Sequence, residues 1–192
     1  PKSHNPRTIL GVISKAKNLM WDSRAFLHNV DPEDYKQDLY ARVFHHYEEK
    51  LTRNNAVDFD DLLMKSVQLF REFPEVQAKY NGRYQYIMVD EFQDTNISQY
   101  QLAQSLAHSH QNICVVGDPD QSIYSWRNAD IKNIFSFQKD FPESKIISLE
   151  ENYRSTQTIL DAAKHLISSN HQRVEKDLWT RNSQGNLIQS LV

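Results

Sequence analysis

Two adjacent carboxylates, Asp90 and Glu91, follow directly on the apolar run Ile87, Met88, Val89. A continuous apolar run of this kind suits a strand buried on both faces of a parallel sheet. The acids then stand at the strand's carboxyl end, the edge where open α/β sheets place their ligands. Two acids there can take separate roles, one holding Mg2+ through water while the other orients or deprotonates an attacking water. The plainer alternative is a strand ending in solvated acids ahead of a helix cap. A second polar block, Gly117 to Gln121, closes another apolar run, Ile113 to Val116. Just beyond it, Tyr124, Trp126 and Arg127 could stack on bases and pair with phosphate. Otherwise Trp126 anchors its loop in the core. A third block, Glu150 to Ser155, carries Tyr153 and Arg154.

These residues need elements to position them. Between the first two blocks, Asn96 is a plausible cap for a helix carrying Tyr100, Leu102, Ala103 and Leu106. Strand, helix and strand in that order imply a right-handed βαβ unit. Such a unit brings Asp90, Glu91 and the stretch from Asp118 to Gln121 to one sheet edge, a better signal than either strand end alone. A helix is expected over about 130–139, a third strand over Lys145 to Leu149, and a helix carrying Ile159, Leu160, Ala163, Leu166 and Ile167. Residues 186–192 read as one more strand; a sheet rarely finishes on an isolated strand, so the chain reads as part of something longer.

Ahead of this α/β portion, residues 1–83 read as almost wholly helical. Apolar residues from Ile9 to Met20 recur at helical spacing, and Asp22 suits a short helix through Phe26 and Leu27. Asp31, Pro32 and Glu33 are in the favoured order to open a longer helix, whose stripe runs Tyr35, Leu39, Tyr40, Val43, Phe44, Tyr47 and Leu51. Asp58 fits an N-cap with Asp60 and Asp61 in the first turn, which explains all three acids without a metal. Phe59, Leu62, Leu63, Val67 and Phe70 are expected to face a core. The basic residues here, Lys17 among them, are interspersed with acids and read as a solvated face.

Composition narrows the class. The 192 residues carry a formal net charge of −3, so any nucleic-acid binding must come from a local surface. A mean hydropathy of −0.69 and no long apolar run argue against a membrane span or signal peptide. The single cysteine, Cys114, lies in an apolar run and reads as a buried core thiol. These features fit a soluble protein of a reducing compartment. None of the four glycines belongs to a GxxxxGK[ST] phosphate loop or a GxGxxG fingerprint.

Three blocks stand in order: VDEFQDT (89–95), VGDPDQSIYSWR (116–127) and LEENYRS (149–155). Together they closely resemble motifs II, III and IV of the UvrD/Rep/PcrA family of superfamily-1 DNA helicases. VDFDDLL (57–63) looks like that family's signature in the helical insertion of its first core. The likeness runs over essentially the whole chain, nearest to the PcrA branch. It implies an α/β fold: part of a RecA-like P-loop NTPase core with a parallel sheet, preceded by a helical insertion subdomain. Residues 1–83 would be part of the insertion, 84–149 part of the first core, and 150–192 the start of the second.

The resemblance also implies a bacterial, cytoplasmic motor that uses ATP and Mg2+ to move 3′ to 5′ on single-stranded DNA and to open duplex junctions in repair or replication. Asp90 resembles the Mg2+-holding acid and Glu91 the residue that activates water. Gln121 matches the γ-phosphate sensor. Tyr124, Trp126 and Arg127 match the loop on single-stranded DNA, with Trp126 stacking on a base. Tyr153 corresponds to the aromatic on adenine, and Arg154 to a γ-phosphate-binding arginine, where its fork can meet developing charge. Asn128 departs from the family's usual glycine; asparagine is the side chain that best tolerates φ > 0 there. Without a phosphate loop, the chain alone is expected not to hydrolyse ATP, the rest of the helicase being needed. Two rivals remain: a non-catalytic single-stranded nucleic-acid-binding module, and part of a helicase–nuclease subunit.

Overall fold

Helix starts are set by short polar side chains that catch the first free amides. In the computed structural model, which describes residues 5–31, 33–170 and 176–189, Asn5 accepts from the Arg7 amide and Pro6 begins α1 (Pro6–Asn18). Asp22 caps α2 (Ser23–Asn29) as expected. The long helix α3 (Tyr35–Arg53) is capped by Asp34, not by Asp31, whose carboxylate instead accepts from the Glu33 amide in a turn. Pro32 lies outside the described residues. Asp58 and Asp61 form a reciprocal capping box at α4 (Phe59–Glu72), and Pro74 starts a further helix, α5 (Pro74–Arg83).

The first three of these helices bury Ile13, Ala16, Phe26, Ala41 and Phe44 against one another. Two expectations about facing fail. Phe59 is 90% exposed, and Leu62 and Tyr35 are also open. Each sits at the start of its helix, where the cap rather than the apolar stripe fixes the backbone. Lys17, read as solvated, is wholly buried.

The sheet is small. β1 (Ile87–Val89) pairs in parallel with β2 (Ile113–Val115), in the register Ile87 with Ile113, Met88 with Cys114 and Val89 with Val115. The crossover between them is α6 (Ile97–Ala107), capped by Asn96 with Gln99 reciprocating. Side chains on a strand alternate faces. Ile87, Val89, Ile113 and Val115 therefore share one face, packed on Phe92, Tyr100, Ala107, Phe137 and Phe141. Met88, 76% exposed, and Cys114 share the other face, which no described element covers. The strand buried on both faces and the buried thiol are both corrected by that open face.

α7 (Lys132–Asp140) closes the packed side, and α8 (Gln157–Ile167) follows. Residues 145–149 form no strand: Ile146, Ile147 and Leu149 are exposed and have no neighbouring strand to pair with. Nor do residues 186–189; the rest of that expected strand lies outside the described residues. A parallel bridge instead joins Glu151 to Trp179. Among the described residues, the fold is mixed α/β, mostly helical with a two-stranded parallel sheet. No helix among them is long and apolar enough to cross a membrane.

Candidate functional site

The two strands stay together beyond their ladder. The Val116 amide donates to the Val89 carbonyl at 2.8 Å, and the Phe92 amide returns to the Val116 carbonyl at 2.9 Å. This closure carries Asp90 and Glu91 on one strand end and Asp118 to Gln121 on the other to the same edge, as the βαβ pattern predicts. Glu91 sits at φ 50°, ψ 43°, in the left-handed region that a non-glycine residue enters at a cost. Such outliers persist where surrounding structure holds them, often at functional sites. Here the Glu91 amide donates to Asp90 Oδ1 at 2.9 Å, and Phe92 plugs the core directly beneath. Below the turn, Thr95 Oγ1 donates to the Phe92 carbonyl and Asn133 Nδ2 to the Thr95 carbonyl, which fixes the start of α6.

Gln93, only 1% exposed, lies between the two strand ends. Its Nε2 donates to Glu91 Oε2 at 2.8 Å, and its Oε1 accepts from the Asp118 amide at 3.0 Å. Sequence reasoning passed over it. The available signal was a lone amide inside VDEFQDT, in a turn too short to point it at solvent.

On the β2 end, Asp118 Oδ1 accepts from the Asp120 amide at 3.0 Å, and Gln121 Nε2 donates to Asp118 Oδ2 at 2.7 Å. Lys176 reaches in from far along the chain to pair with Asp118, and with Asp120 at 3.2 Å. Burial pushes the Asp118 carboxyl up, but hydrogen bonds from Lys176, Gln121 and the Asp120 amide outweigh it and hold the group below the usual carboxylate range.

Next along the chain, the turn Ser125–Arg127 presents Trp126 to solvent, 69% exposed. The Arg127 guanidinium lies 4.7 Å from the Trp126 ring centroid and 5.4 Å from that of Tyr124. Trp126 is therefore no core anchor; the loop holds an open aromatic face with a cation beside it. Asn128 closes the turn at φ 64°, the conformation for which asparagine suits it.

The third block stands apart. Tyr153 is 79% exposed, and its hydroxyl donates to Glu151 Oε2 at 2.9 Å, which raises the phenol's pKa. Arg154 is exposed, its amide held by Asn152 Oδ1 at 3.0 Å. Among the described residues, neither side chain bonds to the strand-end groups. The structure thus gathers Asp90, Glu91 and Gln121 on one edge beside Tyr124, Trp126 and Arg127, and leaves Tyr153 and Arg154 outside that cluster.

An open cleft of about 340 Å3 runs along the acid edge, lined by Asp90, Glu91, Asp94 and Thr95 among others. Asp94 Oδ1 is buried there with no hydrogen-bond partner among the described residues. All of these donors are oxygens, the set a hard cation such as Mg2+ prefers. No cluster of three or more such side chains stands ready to hold a metal among the described residues.

The three acids of the 57–63 block are spent on structure. Lys17 Nζ lies 2.7 Å from Asp58 Oδ2 and 2.9 Å from Asp61 Oδ1, and Tyr47 donates to Asp58 at 2.9 Å. Asn18 donates to Asp60 at 2.9 Å and accepts from Asn96, the cap of α6. The block at 57–63 is thereby wired to the helix that follows the acid pair.

Comparison with known proteins shows what the chain is similar to. The UvrD/REP helicase N-terminal domain family matches residues 1–142. The ATP-dependent DNA helicase PcrA of Bacillus subtilis (strain 168) is 49% identical over 185 residues, covering 96% of this chain and 25% of the relative. PcrA of Staphylococcus aureus (strain Mu50) is 50% identical over 188 residues, 97% of this chain and 25% of the relative. PcrA of Staphylococcus epidermidis is 48% identical over 188 residues, 98% of this chain and 26% of the relative. The chain spans about a quarter of the length of the curated relatives it matches.

Proposed function

Since the chain belongs to the UvrD/Rep helicase family, we propose that it forms the central part of a motor that couples Mg2+-dependent ATP hydrolysis to 3′–5′ movement on single-stranded DNA and to the opening of duplex junctions. Repair and replication of DNA in a bacterial cytoplasm are the settings this reading implies. Residues 84–149 would belong to a first RecA-like core, 1–83 to its helical insertion and 150–192 to the start of a second core. The single observation that carries the proposal is the convergence of two polar strand ends on one edge, with an exposed aromatic–cation loop directly after the second.

In this reading Asp90 would hold Mg2+ through water, and the bound ion would neutralise charge on the phosphates. Glu91 orients the attacking water and draws its proton toward the carboxylate. Gln121, on the facing strand end with its amide on Asp118 Oδ2, would turn to the terminal phosphate to sense it. Tyr153 and Arg154 stand outside the cluster and would complete it when the second core closes: the ring stacks on adenine, and the guanidinium meets developing phosphate charge. Trp126 stacks on a base while Arg127 pairs with the backbone.

The test is ATP turnover in a full-length helicase containing this segment. Glu91→Gln keeps the shape and removes the base, so kcat is expected to fall on the order of a hundredfold or more. A variant that turns over ATP at the wild-type rate overturns the assignment. The exposure of Trp126 with Tyr153 and Arg154 held apart favours one second reading, a loop that binds single strands without catalysis. In that case oligo-dT affinity would depend on Trp126, and no ATP turnover would depend on Glu91.

A further inference from the structure

The Glu91 carboxylate is aimed by another side chain. Glutamate on an exposed turn has several side-chain torsions to fix before its oxygens hold one position, and lost rotamer freedom must be offset by contacts. Among the described residues, the side-chain donor to Glu91 is Gln93, at 2.8 Å. The amide of Gln93 cannot be reversed. A carboxylate only accepts, so it needs the NH2 end, and the Asp118 amide only donates, so it needs the oxygen. Both ends are used at 2.8 and 3.0 Å, and the side chain is almost fully buried, where an unmade bond is costly.

The second strand end is shaped to admit this bridge. A Cβ placed on Gly117 would stand 2.8 Å from Gln93 Oε1 and 3.2 Å from the backbone nitrogens of Gln93 and Phe92. The chain thus passes close enough to accept the amide only because position 117 has no side chain. We infer that Gln93 is a positioning residue: it locks the Glu91 carboxylate to the Asp118 backbone, so that the acid pair and the Asp118–Gln121 turn move as one body. This rests on the reading of Glu91 as the group that orients water.

The experiment is a double-mutant cycle on steady-state ATP turnover in a full-length helicase containing this segment, with thermal unfolding measured alongside. Gln93→Glu retains an oxygen for the Asp118 amide and, assayed at a pH where it and Glu91 are both ionised, cannot donate to Glu91. Its kcat is expected to fall about tenfold to a hundredfold, the size expected for a bond to a charged group, with KM for ATP within about twofold. Adding Gln93→Glu to Glu91→Gln is expected to cost nothing further, because Gln93 acts through Glu91. Losses that multiply, or a folded Gln93→Glu variant with wild-type kcat, overturn the inference. Should Gln93→Glu fail to fold, Gln93→Met, uncharged and of similar length, is read by the same criteria. Wild-type turnover in Glu91→Gln alone would instead sink the underlying assignment of Glu91, so the two failures are distinguishable.

Discussion

Lys17 and Asp58 show what a single charged pair does in the helical portion. Burial pushes the Asp58 carboxyl up, but hydrogen bonds from Lys17, the Asp61 amide and Tyr47 bring it below its ordinary value. The phenol of Tyr47 is pushed to about 12, by burial and then by its bond to Asp58. A depressed carboxyl pKa contributes stability that is present above the unfolded value and lost as pH falls through the folded one. The urea midpoint of the protein should therefore drop as pH is lowered below about 4. Asp58→Asn, which keeps the cap but not the charge, should cost about 1–3 kcal/mol at neutral pH and flatten that acid limb. An unchanged acid limb would mean the Asp58 network contributes nothing. The capping role is legible in the sequence, since Asp58, Asp60 and Asp61 open an amphipathic run. The burial of Lys17 is not: its charge reads as solvated, although its place four residues after Ile13 puts it on the buried stripe.

Elements show a sharper division between what patterns carry and what they do not. The βαβ unit, the Asn96 cap and the convergence of its strand ends follow from local periodicity and capping chemistry, and the structure has them. The expected strand at 145–149 does not form, nor does the described part, 186–189, of the one expected over 186–192, because a strand needs a paired neighbour that local sequence does not reveal. For the same reason Met88 and Cys114 lie open: an apolar run says a residue can be buried, and only the neighbouring elements decide whether it is. Gly117 is a point where two elements meet closely. Gly117→Ala should force the Gln93 turn outward and destabilise the protein by about 1–3 kcal/mol, read as a lower denaturant midpoint with unchanged slope. Wild-type stability in that variant would show that the turn relaxes freely.

At the scale of the whole molecule, the proposed site is divided, with Tyr153 and Arg154 apart from the acid edge among the described residues. Lys176 ties the 176–189 segment to the β2 end through Asp118 and Asp120. Tyr153 and Arg154, on the same side of that tether, stay exposed. The motif order identifies the family from the residues alone, and the family match bears it out. The exposure of Trp126, and the separation of the third block from the acid edge, needed the structure. On the proposed reading, the acid edge and the Trp126 loop are two ends of one ATP–DNA device. The most direct test of that coupling is the rise in Mg2+-dependent ATP turnover as oligo-dT is titrated into a full-length helicase containing this segment, compared with its Trp126→Ala variant. Loss of one base stack, worth about 1–3 kcal/mol, should shift the half-stimulating oligo-dT concentration upward by about fivefold to a hundredfold. Superimposable stimulation curves would contradict the claim.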